Sequence, residues 1–448
     1  MRVRAVLLAA ALVLAPPGAR AADLVVWWEE GYHPEEDQAV REIAAAFQAK
    51  AGKRIELTFY SQEDMPAKTL AGLEAGNPPD FVFGQTMDRY YGKWAYEGRL
   101  VDLTDTLGPL ASQFDQEMLD QISLFDATTG RRGLYVLPMA RISNHVIVWR
   151  SLLERAGFQL ADIPKQWDAF WSFWCDKVQP AVRKATGRDD IYGVALAMSD
   201  GASDTEIQFK QFVDAYGADY VTRDGKIVID EPSVRDRLVK ALDAYATIQR
   251  KGCTPPASVG WDGSGNNKAF LEQAVVMTPN ASLSIPNALR DARPDDYYKN
   301  AVTIDWPDDA YGRPLAIYTG LNEAAVLKAG GHEVAAKEFV RFLVGEGWLA
   351  HWLDFVGDRF LPPLPALLQQ PFWLDTRDPH RMAAVIQFTT RPRGYSDTYA
   401  ALSGDWRCRQ VTAEHVWPTA IHRVVVDGLS PERAVDEAIA RVHQILSE

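Results

Sequence analysis

Aromatic rings beside amides and carboxylates recur at three places early in the chain. These are "WWEEGY" with Trp28 and Glu29, "YSQED" with Gln62, and "FGQTMDRYY" with Gln85, Asp88 and Arg89. Farther on stand "GWDGSGNN" with Trp261 and Asp262, and "VVMTPN", an apolar run that ends on Asn280. Rings can cover flat C–H faces, while carboxylates, amides and guanidinium groups grip pairs of hydroxyls, so the chemistry on offer is the noncovalent holding of a sugar-like molecule. Motifs for covalent work are missing: no Gly-x-Ser-x-Gly elbow, no His-Glu-x-x-His, no phosphate-binding glycine loop and no zinc spacing. A secreted glycosidase or polysaccharide lyase is the rival reading, because the many carboxylates could include the acid pair that glycoside cleavage needs. An adhesin would show internal repeats, and none occurs at a solenoid period.

Each candidate has a plainer role open to it. Trp27 alternates with Val25 along an apolar strand and belongs to the core; Trp28 points to the opposite face, at the strand's carboxyl end, as core or as ligand plate. Asp88 and Arg89 can be a solvated helix start, and Asp262 can close an Asx turn with Gly263. If the ligand role holds, Trp28→Ala and Asp88→Ala each weaken binding and leave the free protein's stability nearly unchanged.

The elements that must position these groups follow from periodicity. "DLVVWW" is a buried strand, and Val40, Ile43, Ala44 and Phe47 form one helical face that Gly52 ends. "RIELTFY" alternates as a second strand, Asp64 can cap the next helix, and Gly76 with the following prolines stops it before "DFVFG", the third strand. The Asp80 carboxylate at the head of that strand is expected to accept turn amides. This βαβαβ order predicts a parallel sheet, whose ligands bind outside the carboxyl ends of the strands.

The chain has 448 residues, 47% hydrophobic, with 60 acids against 47 bases and a net charge of −13. That size predicts two domains, and the acidic balance without a basic run argues against nucleic acid and anionic lipid. Residues 1–21 read as a cleavable secretory signal with no cysteine at the cleavage point, hence no lipid anchor, and no apolar stretch is long enough to span a bilayer. Cys175, Cys253 and Cys408 allow one disulfide at most, and Cys175 in "FWSFWCDKV" reads as a free, buried thiol.

In order along the chain, "LVVWWEEG", "LAGLEAGNPPDFVF", "MDRYYGKWAYEGRLVDLTD", "GLYVLPMARISNHVIVWRSLLERAGF", "PKQWDAFWSFW", "NNKAFLEQAVVMTPNASL" and "SPERAVDEAIARVHQIL" resemble motifs of the extracellular solute-binding proteins of sugar ABC importers, the family of maltose- and glucose-binding proteins. Two departures stand out: Gln273 occupies a usual glycine, and Leu283 the place of a sugar-stacking tryptophan in maltose-binding relatives. The resemblance implies an α/β, two-lobed type II periplasmic-binding-protein fold, each lobe a mainly parallel sheet flanked by helices. The first lobe is expected over 22–139 and 320–357 and the second over 143–316 and 361–448, with hinge crossings near 140–142, 317–319 and 358–360. It raises Asp88 and Arg89 as sugar contacts and places Asn144, Tyr318 and Arg359, with His145 a weaker candidate, at those crossings. It implies a periplasmic monomer, with no catalytic residue, cofactor or metal, that captures a mono- or disaccharide by hinge closure and docks on the transmembrane subunits of an ABC permease. A polyol or a sugar-phosphate ester is the second ligand reading; Arg89, Arg141 and Arg359 would have to converge for the ester.

Overall fold

The structure is a computed structural model that describes residues 22–222, 224–394 and 405–448. The expected signal segment lies outside the described residues. The chain opens as read: strand β1 (Leu24–Glu29), helix Pro34–Ala51, β2 (Ile55–Tyr60), helix Asp64–Ala75 and β3 (Phe81–Phe83). The first helix starts with Pro34 and three acids in its first turn and buries Val40, Ile43, Ala44 and Phe47. Gly52 and Gly76 end the two helices at φ 65° and 73°, a conformation that costs a side-chain-bearing residue about 1 kcal/mol or more. Asp64 does not cap the second helix; it is the first helical residue, and its amide donates to the Ser61 hydroxyl at 3.1 Å.

The Asp80 carboxylate does what its position at the strand head suggests. One oxygen accepts the Val25 amide at 2.7 Å and the other the His332 amide at 2.9 Å, so a single side chain ties β1 to a distant loop. Gly330 passes so close that a Cβ there would meet Asp80 Oδ1 at 2.4 Å.

The remaining strands are β4 (Ser123–Asp126), β5 (Arg131–Leu134), β6 (Val136–Ser143), β7 (His145–Trp149), β8 (Tyr192–Val194), β9 (Val275–Asn280), β10 (Ala301–Ile304), β11 (Ile317–Val326) and β12 (Arg393–Gly394). They form two main sheets. The first runs β12-β11-β3-β1-β2 with β6 also on β11; the second runs β10-β7-β9-β8. β1 pairs in parallel with β2 and β3, as the βαβαβ order requires. The sheets are otherwise more mixed than expected: β11 is antiparallel to β3 and β6, and β7 is antiparallel to β9 and β10. Strands that carry the chain between sheets run out and back beside each other, which makes them antiparallel.

Apolar clusters cover both faces of the first sheet, one built on Val26, Trp28, Phe81 and Phe83, the other on Val82, Tyr91 and Trp94. A larger cluster holds the second sheet with helices Trp167–Ser172, Ser203–Tyr216, Pro232–Arg250 and Pro431–Ser447. The three expected crossings lie side by side. Ser143 faces Thr319 across β6 and β11, and Arg141 exchanges backbone hydrogen bonds with Leu361 at 2.8 and 3.1 Å.

Cys175 is not a free thiol: it is bonded to Cys253, with 5.2 Å between their Cα atoms, while Cys408 is buried and takes no part in the disulfide. Two departures from the family pattern are also placed. Gln273 sits at φ 55°, the left-handed region that glycine adopts freely. Leu283 is 1% exposed and packs with Leu361, Leu368, Trp373 and Phe388.

Candidate functional site

The carboxyl ends of β1, β2 and β3 face helix Ser203–Tyr216 and the end of β9 across a cavity of about 310 Å³. It is of the size that takes a small ligand. The first sheet contributes Glu29 and Glu30 beyond β1, Gln62 and Glu63 beyond β2, and Gln85, Asp88 and Arg89 beyond β3. From the far side come Asp204, Glu206 and Lys210, together with Ser264, Asn267 and Asn280. Tyr318 and Arg359, from two of the segments expected as crossings, also line it.

Eight of the residues singled out in the sequence thus meet at one cavity: Glu29, Gln62, Gln85, Asp88, Arg89, Asn280, Tyr318 and Arg359. Trp28, Trp261, Asp262, Asn144 and the weaker candidate His145 do not line it. Trp28 is 2% exposed and packs on Phe81, Phe83 and Trp352, so the core role left open by its alternation is the one that its packing supports. Trp261 lies over Gly265, where a Cβ would come within 2.3 Å of its ring. Asp262 accepts the Ser264 amide at 2.8 Å, closing an Asx turn of the kind foreseen as its alternative. Asn144 is fully buried in the crossing, its amide donating to the Tyr318 carbonyl at 3.1 Å. His145 beside it is a satisfied core residue whose ring meets Gln387 at 2.8 Å, and burial lowers its pKa to about 4.

The aromatic surface of the cavity comes from Tyr32, Phe360 and Tyr318, and the first two escaped the sequence reading. Tyr32 is 40% exposed, free to cover a sugar face. A signal for the far wall was also present. Helix Ser203–Tyr216 buries Asp204, Glu206, Gln208, Lys210 and Gln211, an excess of polar residues inside a helix that a core-only role does not need.

The electrostatics are set by burial. The Glu29 carboxylate accepts the Gln85 amide at 2.7 Å and the Gln85 side chain, yet desolvation outweighs both and raises its pKa to about 7. Burial likewise raises Asp204 to about 7, opposed by a hydrogen bond with Asn266 and aided by the nearby Asp262 charge. Arg359 donates to Glu36 and lies over the Phe360 ring at 4.2 Å. Lys210 stands 3.9 Å from Glu206 and over the Tyr318 ring at 5.6 Å. Asn280 is fixed from several sides: it donates to Ser282 O at 2.8 Å and Ser284 Oγ at 3.0 Å and accepts from Asn266 at 3.0 Å. Such a cross-linked amide presents its remaining capacity in a set direction.

Two α/β lobes around a cavity, joined by adjacent crossing strands, define the periplasmic-binding-protein fold. Similar solved structures include a solute-binding protein of Thermotoga lettingae bound with α-D-tagatose, at TM-score 0.74 and 19% identity, over 94% of this chain and 99% of that one. Maltose-bound MalE3 of T. maritima matches at TM-score 0.71 and 17% identity, over 94% and 99%. UgpB of Mycobacterium tuberculosis, in complex with glycerophosphocholine, matches at 0.71 and 18%, over 96% and 99%. Comparison with curated protein sequences gives no significant match. The profile of the bacterial extracellular solute-binding proteins matches residues 42–383, and the chain belongs to that family.

Proposed function

We propose that this protein captures a sugar in the cavity between its lobes and delivers it to the transmembrane subunits of an ABC importer. The observation that carries the reading is the lining itself. Exposed Tyr32 and the Phe360 ring are interleaved with carboxylates and fixed amides drawn from both sheets, the pairing that C–H faces ringed by hydroxyls require. The cavity volume suits a mono- or disaccharide, and the tagatose and maltose complexes of similar folds are in keeping with that size. A phosphate ester is disfavoured, because Arg141 is buried on Asp115 away from the cavity and Arg359 is engaged by Glu36.

The ligand contacts are Glu29, Gln62, Gln85, Asp88, Arg89, Asn280, Tyr318 and Arg359, joined by Tyr32, Asp204, Lys210 and Phe360. The lobes are 22–139 with 320–357 and 143–316 with 361–448, and closure bends the three crossings. The chain acts as a monomer in the periplasm, released from a signal segment without a lipid anchor. Among the described residues no helix is long and apolar enough to cross a membrane.

A thermal-shift screen of the mature protein against sugars, polyols and sugar phosphates tests the reading. A ligand at 100 times its dissociation constant adds about 2.7 kcal/mol to stability. A binder returns its ligand unchanged on chromatography; a cleaved product would establish the glycosidase reading instead, for which buried Glu29 and Asp204 would be the acid pair.

A further inference from the structure

The charge of the cavity lining is lopsided. Its carboxylates are Glu29, Glu30, Glu63, Asp88, Asp204 and Glu206, against the cations Arg89, Lys210 and Arg359. Two of those cations are already engaged within the protein, Arg359 by Glu36 and Lys210 near Glu206. Burial disfavours the charged forms of Glu29 and Asp204; a cationic ligand would favour them, and an anionic one would oppose them.

Asp204 carries the clearest unmet demand. It is 7% exposed, it lines the cavity, and its Oδ2 has no hydrogen-bond partner among the described residues. A hydrogen bond from the Asn266 side chain favours its charged form, and the Asp262 carboxylate opposes it. A buried carboxylate without a cation or a full set of donors is costly, and such a site favours a ligand that brings positive charge. Glu29, on the opposite wall, is also buried: burial weakens its charged form, two hydrogen bonds reach it from the neutral Gln85, and the charge of Arg359 partly offsets the burial. Tyr32, whose ring also stands 5.9 Å from Arg359, offers a π face within the same cavity.

We propose that the natural ligand is a cationic amino sugar, a mono- or disaccharide whose free amine is held as an ammonium by Asp204, with Glu29 and the other acids supplying the surrounding field. This rests on the sugar-binding reading above and narrows it to one charge class. An ammonium gives Asp204 the charge-assisted donor it lacks, while its hydroxyls meet the amides of Gln62, Gln85 and Asn280.

The test is titration calorimetry of the wild-type mature protein at neutral pH. Glucosamine and its β-linked disaccharide are compared with their N-acetyl and 2-hydroxyl counterparts, which keep the ring and lose the charge. The free amine is expected to bind at least about tenfold more tightly than either counterpart. Asp204→Asn is expected to erase that preference. Equal or tighter binding of the N-acetyl or hydroxyl sugar overturns the amine proposal and leaves the sugar-binding reading standing. Binding of no member of the set, with a response to none of the sugars in the wider screen, overturns both. An amine preference that persists in a folded Asp204→Asn variant removes Asp204 from the role.

Discussion

Trp28, near the end of β1, shows how burial decides a residue's role. Trp28 packs in an aromatic cluster with Phe81, Phe83 and Trp352, 4.8 to 6.0 Å between ring centroids. Truncating such a side chain costs about 3–5 kcal/mol. Trp28→Ala is therefore expected to lower the denaturant midpoint sharply, and the expectation that stability would be spared is reversed. Sugar affinity, measured on whatever fraction folds, should change little. Glu29, its neighbour, has a pH signature. Its folded-state pKa is raised from 4.5 to about 7, so the folded chain holds a proton that the unfolded chain releases, and stability falls as pH rises from 4.5 to about 7 before levelling off. Glu29→Gln removes this contribution. The stability of the variant relative to wild type should grow across that window by up to about 3 kcal/mol and stay constant above it. Chemical denaturation at a series of pH values reads the difference; a constant offset would show that Glu29 stays ionised throughout.

Among the elements, the segment around Cys175 is the one that sequence reading placed least well. Phe173, Trp174 and Val178 are buried, but the chain here coils more widely than an α-helix, and Cys175, read as a free thiol, is disulfide-bonded to Cys253 across 78 positions. Closing a loop of that length removes enough freedom from the unfolded chain to stabilise the fold by about 4 kcal/mol on the chain-entropy account. Reductant, or the Cys175→Ser/Cys253→Ser pair, is expected to lower the melting temperature by several degrees. Thiol titration of the unreduced, unfolded protein should find one reactive group, Cys408, and native protein should show it shielded. Helix Ser203–Tyr216 is the other instructive element. Its apolar positions Phe209, Phe212 and Ala215 secure it to the core, which leaves Asp204, Glu206, Ile207 and Lys210 to form a wall of the cavity.

For the whole molecule, function depends on surfaces from both lobes meeting one ligand. Helix Arg407–Ala413 packs on helix Asp88–Tyr96, and Arg409 donates to the carbonyls of Asp88 and Gln121 at 3.1 and 3.0 Å. Such contacts hold the cavity walls at a distance at which a ligand reaches both. A sugar that touches both lobes binds the closed arrangement more tightly than an open one and shifts the population towards it. Small-angle scattering is expected to show a smaller radius of gyration once the ligand found by the screen is added. An unchanged curve at saturation would count against closure. Arg409→Ala, at a position that does not line the cavity, is expected to weaken binding by up to about tenfold through loss of the closed population. Calorimetry on the folded variant checks it.

Local signals were enough for the first five elements, because helix faces, glycine stops and proline breaks act over a few residues. The Val40–Phe47 face, the Gly52 and Gly76 caps and the amide-accepting role of Asp80 were all legible there. Strand order made the site partly legible too: ligands lie at the carboxyl ends of parallel strands, and Glu29, Gln62, Gln85, Asp88 and Arg89 meet at those ends. Only the tertiary structure decided that Trp28 would pack on Phe81, Phe83 and Trp352 while Tyr32, a few residues on, stayed at the cavity. It alone brought Asp204 and Phe360, remote in sequence, to the same space, and it alone paired Cys175 with Cys253. Periodicity reports whether a side chain faces inward, but what lies on that inner side, a packed ring or an open cavity, depends on elements that arrive from hundreds of residues away.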